Sequence, residues 1–267
     1  MGGNNTYEFL NLTSSARVSS LGGNQIAVKD DDLFLGIENP ALLNKEMDNK
    51  LAMTYVGYLA DISYGVAHYG KHFEKAGTFQ LGVKYIDYGS FTETDQAGNE
   101  IGSFTAGEYA FVLGYGRELD SNFSIGANLK TIYSSFYDYN SIGLAADVGL
   151  TYALSGKGLT VSLLAKNIGR QLSTYVENQE KEDLPFEIQL GLSKRLEKVP
   201  IRFGFIFQHL QQWDLQYDNP NDNRESSILT DANEQEEKEP GFFDNLGRHI
   251  IFNAEFLLTE NFKIDEV

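Results

Sequence analysis

The side chains that could carry chemistry in this chain are few and scattered. Its four histidines are His68, His72, His209 and His249. Hydrolysis by a serine nucleophile needs a Ser and a His on facing strands, with an acid or amide orienting the imidazole. Ser and Asn are plentiful, but none stands in a distinctive pattern with a histidine. His68 and His72 flank one strand end, while His209 and His249 lie near the ends of two later strands and read as rim residues. Asp30-Asp31-Asp32 and the run containing Glu234, Glu236, Glu237 and Glu239 could attract calcium. Both lack the alternating spacing and the glycine of an EF-type loop, so they read as solvated charge. The Gly-x-Gly repeats lie inside strands, and none opens a helix as a phosphate loop must. Cysteine is absent, which excludes disulfides, thiolate zinc sites and a thiol nucleophile. These residues point away from an enzyme and imply no metal or cofactor.

Composition narrows the class further. A net charge of −17 and a pI near 4.6 argue against nucleic acid and against a basic patch for a membrane surface. High glycine, tyrosine and phenylalanine (26, 15 and 18) with only 5 prolines favour strands with aromatic edges and tight turns. No apolar run reaches the roughly eighteen residues of a transmembrane helix. The opening MGGNNTYEFL lacks the basic and apolar regions of a signal peptide, so the chain reads as cytoplasmic or as one whose export signal has been removed.

The elements that must position these residues have a period of two from Leu51 onward. Phe79, Leu81, Val83 and Tyr85 alternate with Gln80, Gly82 and Lys84; Ile142, Leu144, Ala146, Val148 and Leu150 alternate with Gly143, Ala145, Asp147 and Gly149. The same pattern recurs to residue 258, and 262–267 starts one strand more. Thr, Lys and Glu would dominate the polar face of a soluble sheet, whereas here it is mostly Gly, Ala and Ser. Glycine weakens a strand unless something approaches closely. Tyr55, Tyr85, Tyr115, Tyr133 and Tyr152 stand near strand ends, where an aromatic girdle belongs. Connections 70–77, 117–122, 155–158, 196–199 and 259–261 are short. Of the alternate set (58–61, 86–107, 135–140, 169–184 and 211–247), three are long. That sorting is the asymmetry of an outer-membrane barrel. The expected fold is therefore all-β: an antiparallel barrel over 51–267, with closing strands beyond it, and an N-terminal arm and lumen plug over 1–50. Residues 21–44, broken by Gly22-Gly23 and by Glu38-Asn39-Pro40 and including Ala41, form the plug, and Gly126, Gly143, Gly149 and Gly191 make room for it.

Leu21-Gly22-Gly23 followed by Glu38-Asn39-Pro40-Ala41-Leu42-Leu43 resembles the N-terminal hatch of the FadL-like barrel superfamily. The opening Tyr7-Glu8-Phe9-Leu10-Asn11-Leu12, the stretch from His209 to Leu215 and the run Leu246-Gly247-Arg248-His249-Ile250-Ile251-Phe252 are similar to PorQ proteins of the Bacteroidetes type IX secretion system. The resemblance implies an outer-membrane barrel of about fourteen strands, about eleven of them in this chain. It also implies a non-enzymatic role in anchoring the surface attachment complex of that system. Expected partners are outer-membrane lipids and surface proteins, and no nucleic acid. Loop 211–247, with Trp213, Tyr217, Phe242 and Phe243 flanking an acidic centre that includes Glu234, Glu236 and Glu237, is the expected partner surface. The competing expectation is a FadL-like transporter of hydrophobic small molecules, which needs a continuous apolar path past the plug.

Overall fold

The computed structural model describes residues 5–213, 215 and 242–257. Ten strands follow one another: β1 Lys50–Gly57, β2 Ser63–Phe73, β3 Gly77–Thr94, β4 Glu100–Glu118, β5 Phe123–Phe136, β6 Tyr139–Leu154, β7 Leu159–Ser173, β8 Glu187–Arg195, β9 Ile201–Phe207 and β10 Ile250–Phe256. Each pairs antiparallel with the next, giving one ten-stranded sheet whose order is the sequence order. Among the described residues β1 and β10 do not pair with each other, so the sheet is open. The expected eleventh strand, 262–267, lies outside the described residues.

The sheet is polar on its buried face and apolar on its exposed face. Along β5, Ser124, Asn128, Lys130 and Ser134 are buried, while Ile125, Leu129 and Tyr133 point outward and are exposed. A soluble sheet facing water has the reverse arrangement. The buried face is covered by the N-terminal segment, residues 5–49. It is built from 3-10 turns at Glu8–Asn11, Pro40–Leu42 and Lys45–Met47 and two short helices, α1 Ala16–Ser20 and α2 Leu35–Glu38.

Helices this short do not persist alone, so capping and packing hold them. Ser15 accepts the Val18 amide at the start of α1. Gly22 and Gly23 end it with φ of +96° and +81°, and the Gly23 amide donates to the Val18 carbonyl at 3.0 Å. A residue with a Cβ is strained in that region. The segment then reaches both flanks of the sheet: Gly22 lies against Ile251 in β10, and the Met47 carbonyl lies over Gly70 in β2. One short segment touching strands so far apart in a ten-stranded order requires the sheet to curl round it.

Two expected loops are wholly or partly strand. Residues 86–107 belong largely to β3 and β4, which run 18 and 19 residues and turn only at 95–99. Register shifts at Asp87/Ser90 and Glu93/Thr94, with Gly89 at φ +81°, break the alternation there and hide the strands from a period-two reading. β7 likewise continues to Ser173, past a left-handed Asn167 and a register shift opposite Asp147. A helix, α3 Phe242–Arg248, precedes β10.

The packing of the segment against glycines gives a test. A methyl on Gly126 would overlap the Pro40 carbonyl, whereas one on Gly57 would meet nothing within 4 Å. Gly126→Val should lower the stability of the full chain by about 1–3 kcal/mol through overpacking. Gly57→Ala should leave the unfolding midpoint unchanged. Equal midpoints for the two variants would show that the segment does not sit where the contacts place it.

Candidate functional site

The interior face is organised around Asn39-Pro40-Ala41, all three buried. Gly116 pairs with Gly126, and Gly126 pairs with Gly149, so three glycines form a row across β4, β5 and β6. A Cβ on Gly116 or Gly126 would strike Pro40, and one on Gly149 would strike the Asn39 side chain. Backbone can therefore lie flat on the sheet here. Asn39 secures the contact. Its amide donates to the Ile26 carbonyl at 2.8 Å and to Thr151 Oγ1 at 3.3 Å, and its Oδ1 accepts the Ala41 amide at 3.0 Å. Gly143 lies under the Tyr7 ring, and Gly191 lies under Ile26 and Ala27. Three of the four glycines singled out by the sequence therefore lie against residues 21–44 as expected, while Gly143 lies against Tyr7, ahead of that stretch.

Deeper in, ionisable side chains of the strands form a charged layer. Lys130 pairs with Asp147 at 2.8 Å and donates to Asn167 Oδ1 at 2.8 Å, with both charged groups buried. Asp147 also accepts the Asn167 amide (2.8 Å) and Asn128 Nδ2 (3.1 Å). Lys84 donates to the carbonyls of Leu10 and Leu12. Glu38, on the N-terminal segment, accepts from Ser14 Oγ at 2.6 Å and faces Lys166 at 3.9 Å. Between Glu38, Lys84, Lys130 and Lys166 remains a cavity of about 10 Å³, room for one water. Sequence reading missed this layer because each lysine stands alone among small residues; only the pairing of strands and segment brings them together. Two of its lysines face a carboxylate, and the third, Lys84, is held by carbonyl oxygens instead.

A second network ties the segment to the last strands. Arg17 bonds Asp30 (2.7 Å), Asp32 (3.0 Å) and Glu255 of β10 (2.9 Å), and Arg202 of β9 bonds Glu255 at 2.8 Å. Asp31 pairs with Lys50 at 2.6 Å. The aspartate run is thus paired charge, where solvated charge was expected. Burial alone would raise the Asp30 carboxyl and lower the Arg17 guanidinium, but their mutual bonds dominate and hold Asp30 below and Arg17 above the usual values. Beside this network a cavity of about 330 Å³ opens at the short-turn end, lined by Lys29, Asp30, Lys45, Arg195 and Arg202 among others.

The histidines stay apart. The His68 ring lies 4.9 Å from that of Phe34 in the interior, and His72 Nδ1 meets Thr78 Oγ1 at 2.9 Å. His209 faces Glu187 at 3.4 Å. His249, expected at the rim, is buried: its ring nitrogens contact the carbonyls of Gln208 (2.8 Å) and Trp213 (3.0 Å), and its ring stacks on Trp213 at 5.3 Å. Trp213 is therefore part of the loop base as well as half exposed. Phe242 and Phe243 open α3. Tyr217, Glu234, Glu236 and Glu237 lie outside the described residues. Among the described residues no three His, Asp or Glu side chains converge as metal ligands. No protein-family model matches the chain, and no curated protein matches it.

Because Asp30 has a depressed folded pKa, its contribution is fully present above the unfolded value of about 3.9 and is lost as pH falls through the folded one. Asp30→Asn should remove that part of the acid-side slope in a plot of unfolding free energy against pH. Arg17→Met should lower stability at neutral pH by about 2 kcal/mol. An unchanged acid slope in Asp30→Asn would show that the pair is not formed in the folded protein.

Proposed function

We propose that this chain forms the greater part of an outer-membrane β-barrel whose lumen is plugged by residues 5–49, and that it serves as a non-enzymatic anchor for surface proteins. The observation that carries the reading is the inverted polarity of the sheet. Leu81, Phe111, Leu113, Leu129, Val148 and Leu163 are all exposed on the outer face. Water penalises so large an apolar surface, and a lipid bilayer does not.

Aromatic pairs bound this surface. Phe79 meets Tyr115 at 4.9 Å and Phe123 meets Tyr152 at 4.6 Å toward the short-turn end, while Tyr85 meets Tyr109 at 6.4 Å toward the other. Phe79 and Tyr85 lie about 20 Å apart along an extended strand, which at a tilt of about 40° spans roughly 15 Å of an apolar band about 25 Å tall. In this reading the open flank between β1 and β10 is closed by further strands.

An anchor suits the interior better than a conduit does. A transporter of hydrophobic molecules needs an apolar path, and the layer of Lys84, Lys130, Lys166, Glu38 and Asp147 crosses that path with a gap for one water. The resemblance to PorQ proteins supports the same reading and supplies the partner: the surface attachment complex of type IX secretion. Isolated from outer membranes, the protein should carry surface proteins of that complex; a stoichiometric hydrophobic small molecule in their place would favour transport. Leu113→Arg, mid-band, should cost about 2–4 kcal/mol in a bilayer and Leu119→Arg, in a turn, about 0–1. Equal tolerance of both, in a chain that stays monodisperse without detergent, would overturn the barrel.

A further inference from the structure

The hairpin of β3 and β4 outruns its neighbours. β2 pairs with β3 only as far as Ser63↔Asp87, and β5 pairs with β4 only from Ala106↔Phe136. Among the described residues, therefore, no strand lies beside the outer edge of β3 from Ser90 to Thr94. Such edges invite pairing, and proteins usually blunt them with lysine, proline or a covering loop. Between Lys84 and Arg117 the sequence contains no lysine, arginine or proline. The bulge at Asp87/Ser90 lies at the base of this edge, leaving Ser90–Glu93 in unbroken register with β4.

The arm is held rigid. Phe91 stacks on Phe104 at 5.2 Å, Phe104 packs edge-on to Tyr137 at 5.1 Å, and the Tyr137 hydroxyl donates to Glu93 Oε1 at 3.0 Å. Asp95 Oδ1 accepts the amides of Ala97 and Asn99 and so fixes the turn. A preformed edge spares a partner the ordering cost of making one. At its foot lie Tyr58 and Leu59, both largely exposed, and Asp61, which packs against Gly89. With Asp87 and Glu93, Asp61 gives the edge a uniformly negative surround.

We infer that the β3 edge from Ser90 to Thr94 takes an extended, lysine- or arginine-bearing segment of a partner protein as an added strand. The inference rests on the anchoring reading and names where and what kind of chain is held. Main-chain hydrogen bonds would give the affinity, and alternate cationic side chains facing Asp61 and Asp87 would give the selectivity.

The test uses the full chain in lipid nanodiscs and a fluorescent eight-residue peptide alternating lysine with valine and threonine, followed by anisotropy. The peptide should bind, more weakly as salt rises. Replacing its lysines by glutamate, or methylating alternate backbone nitrogens with the lysines kept, should weaken binding at least tenfold. Asp61→Asn combined with Asp87→Asn should do the same by removing the facing charges, while Glu93 and Asp95 still hold the hairpin; Glu177→Gln with Glu180→Gln should not. Equal binding of the methylated peptide, unchanged binding to the Asp61/Asp87 variant, or no binding of the lysine peptide overturns the inference. Co-flotation with vesicles, measured on the same preparations, reports separately on the membrane reading.

Discussion

The structure depends on one constraint: the inner face of the sheet carries polar and charged side chains that must be paired once water is excluded. An unpaired buried amide or ammonium costs several kcal/mol, and a buried charge without a partner costs more. Lys84, Lys130, Asp147, Lys166, Asn128 and Asn167 cannot all satisfy one another across strands. The N-terminal segment supplies much of what is lacking: the carbonyls of Leu10 and Leu12 to Lys84, Glu38 to Lys166, and the carbonyls of Gly36 and Ile37 to Asn128. Segment and sheet are therefore one folding problem. Without the other, each would leave polar groups that now pair across the contact without those partners.

Glycine placement follows from the same constraint. The segment brings irregular backbone to the sheet, and irregular backbone bonds its partners only at close range. Gly116, Gly126 and Gly149 allow that approach at Asn39-Pro40-Ala41, where the asparagine amide bridges two stretches of the segment and one strand. At the sheet's last strands the same task falls to ions: Arg17 and Arg202 gather Asp30, Asp32 and Glu255. That network holds the segment to the flank that is open among the described residues.

Alternation made the strands legible in the sequence, and small residues on the polar face made the covered side legible too. Gly126, Gly149 and Gly191 lie against residues 21–44 as expected, whereas Gly143 makes room for Tyr7 instead. The buried charged layer was not legible, since Lys84, Lys130 and Lys166 are far apart in sequence and meet only through register. Nor was the projecting hairpin, because bulges at Gly89 and Ile101 shift the phase that a period-two reading follows. His249 illustrates a third limit: its burial comes from the fold of the loop base on Trp213, a contact that neither residue type nor spacing encodes.

The central claim is that the apolar face meets lipid and the polar face meets the chain's own N-terminal segment. The natural absence of cysteine makes this directly measurable by single-cysteine spin labelling along β5 in a bilayer. Labels at Ile125, Ala127, Leu129 and Thr131 should be relaxed strongly by oxygen, which concentrates in lipid, and weakly by a polar nickel chelate. Labels at Ser124, Ile132 and Ser134 should be reached poorly by both, giving an accessibility that alternates with period two. Strong relaxation of the Leu129 label by the nickel chelate, or no alternation along the strand, would contradict the account.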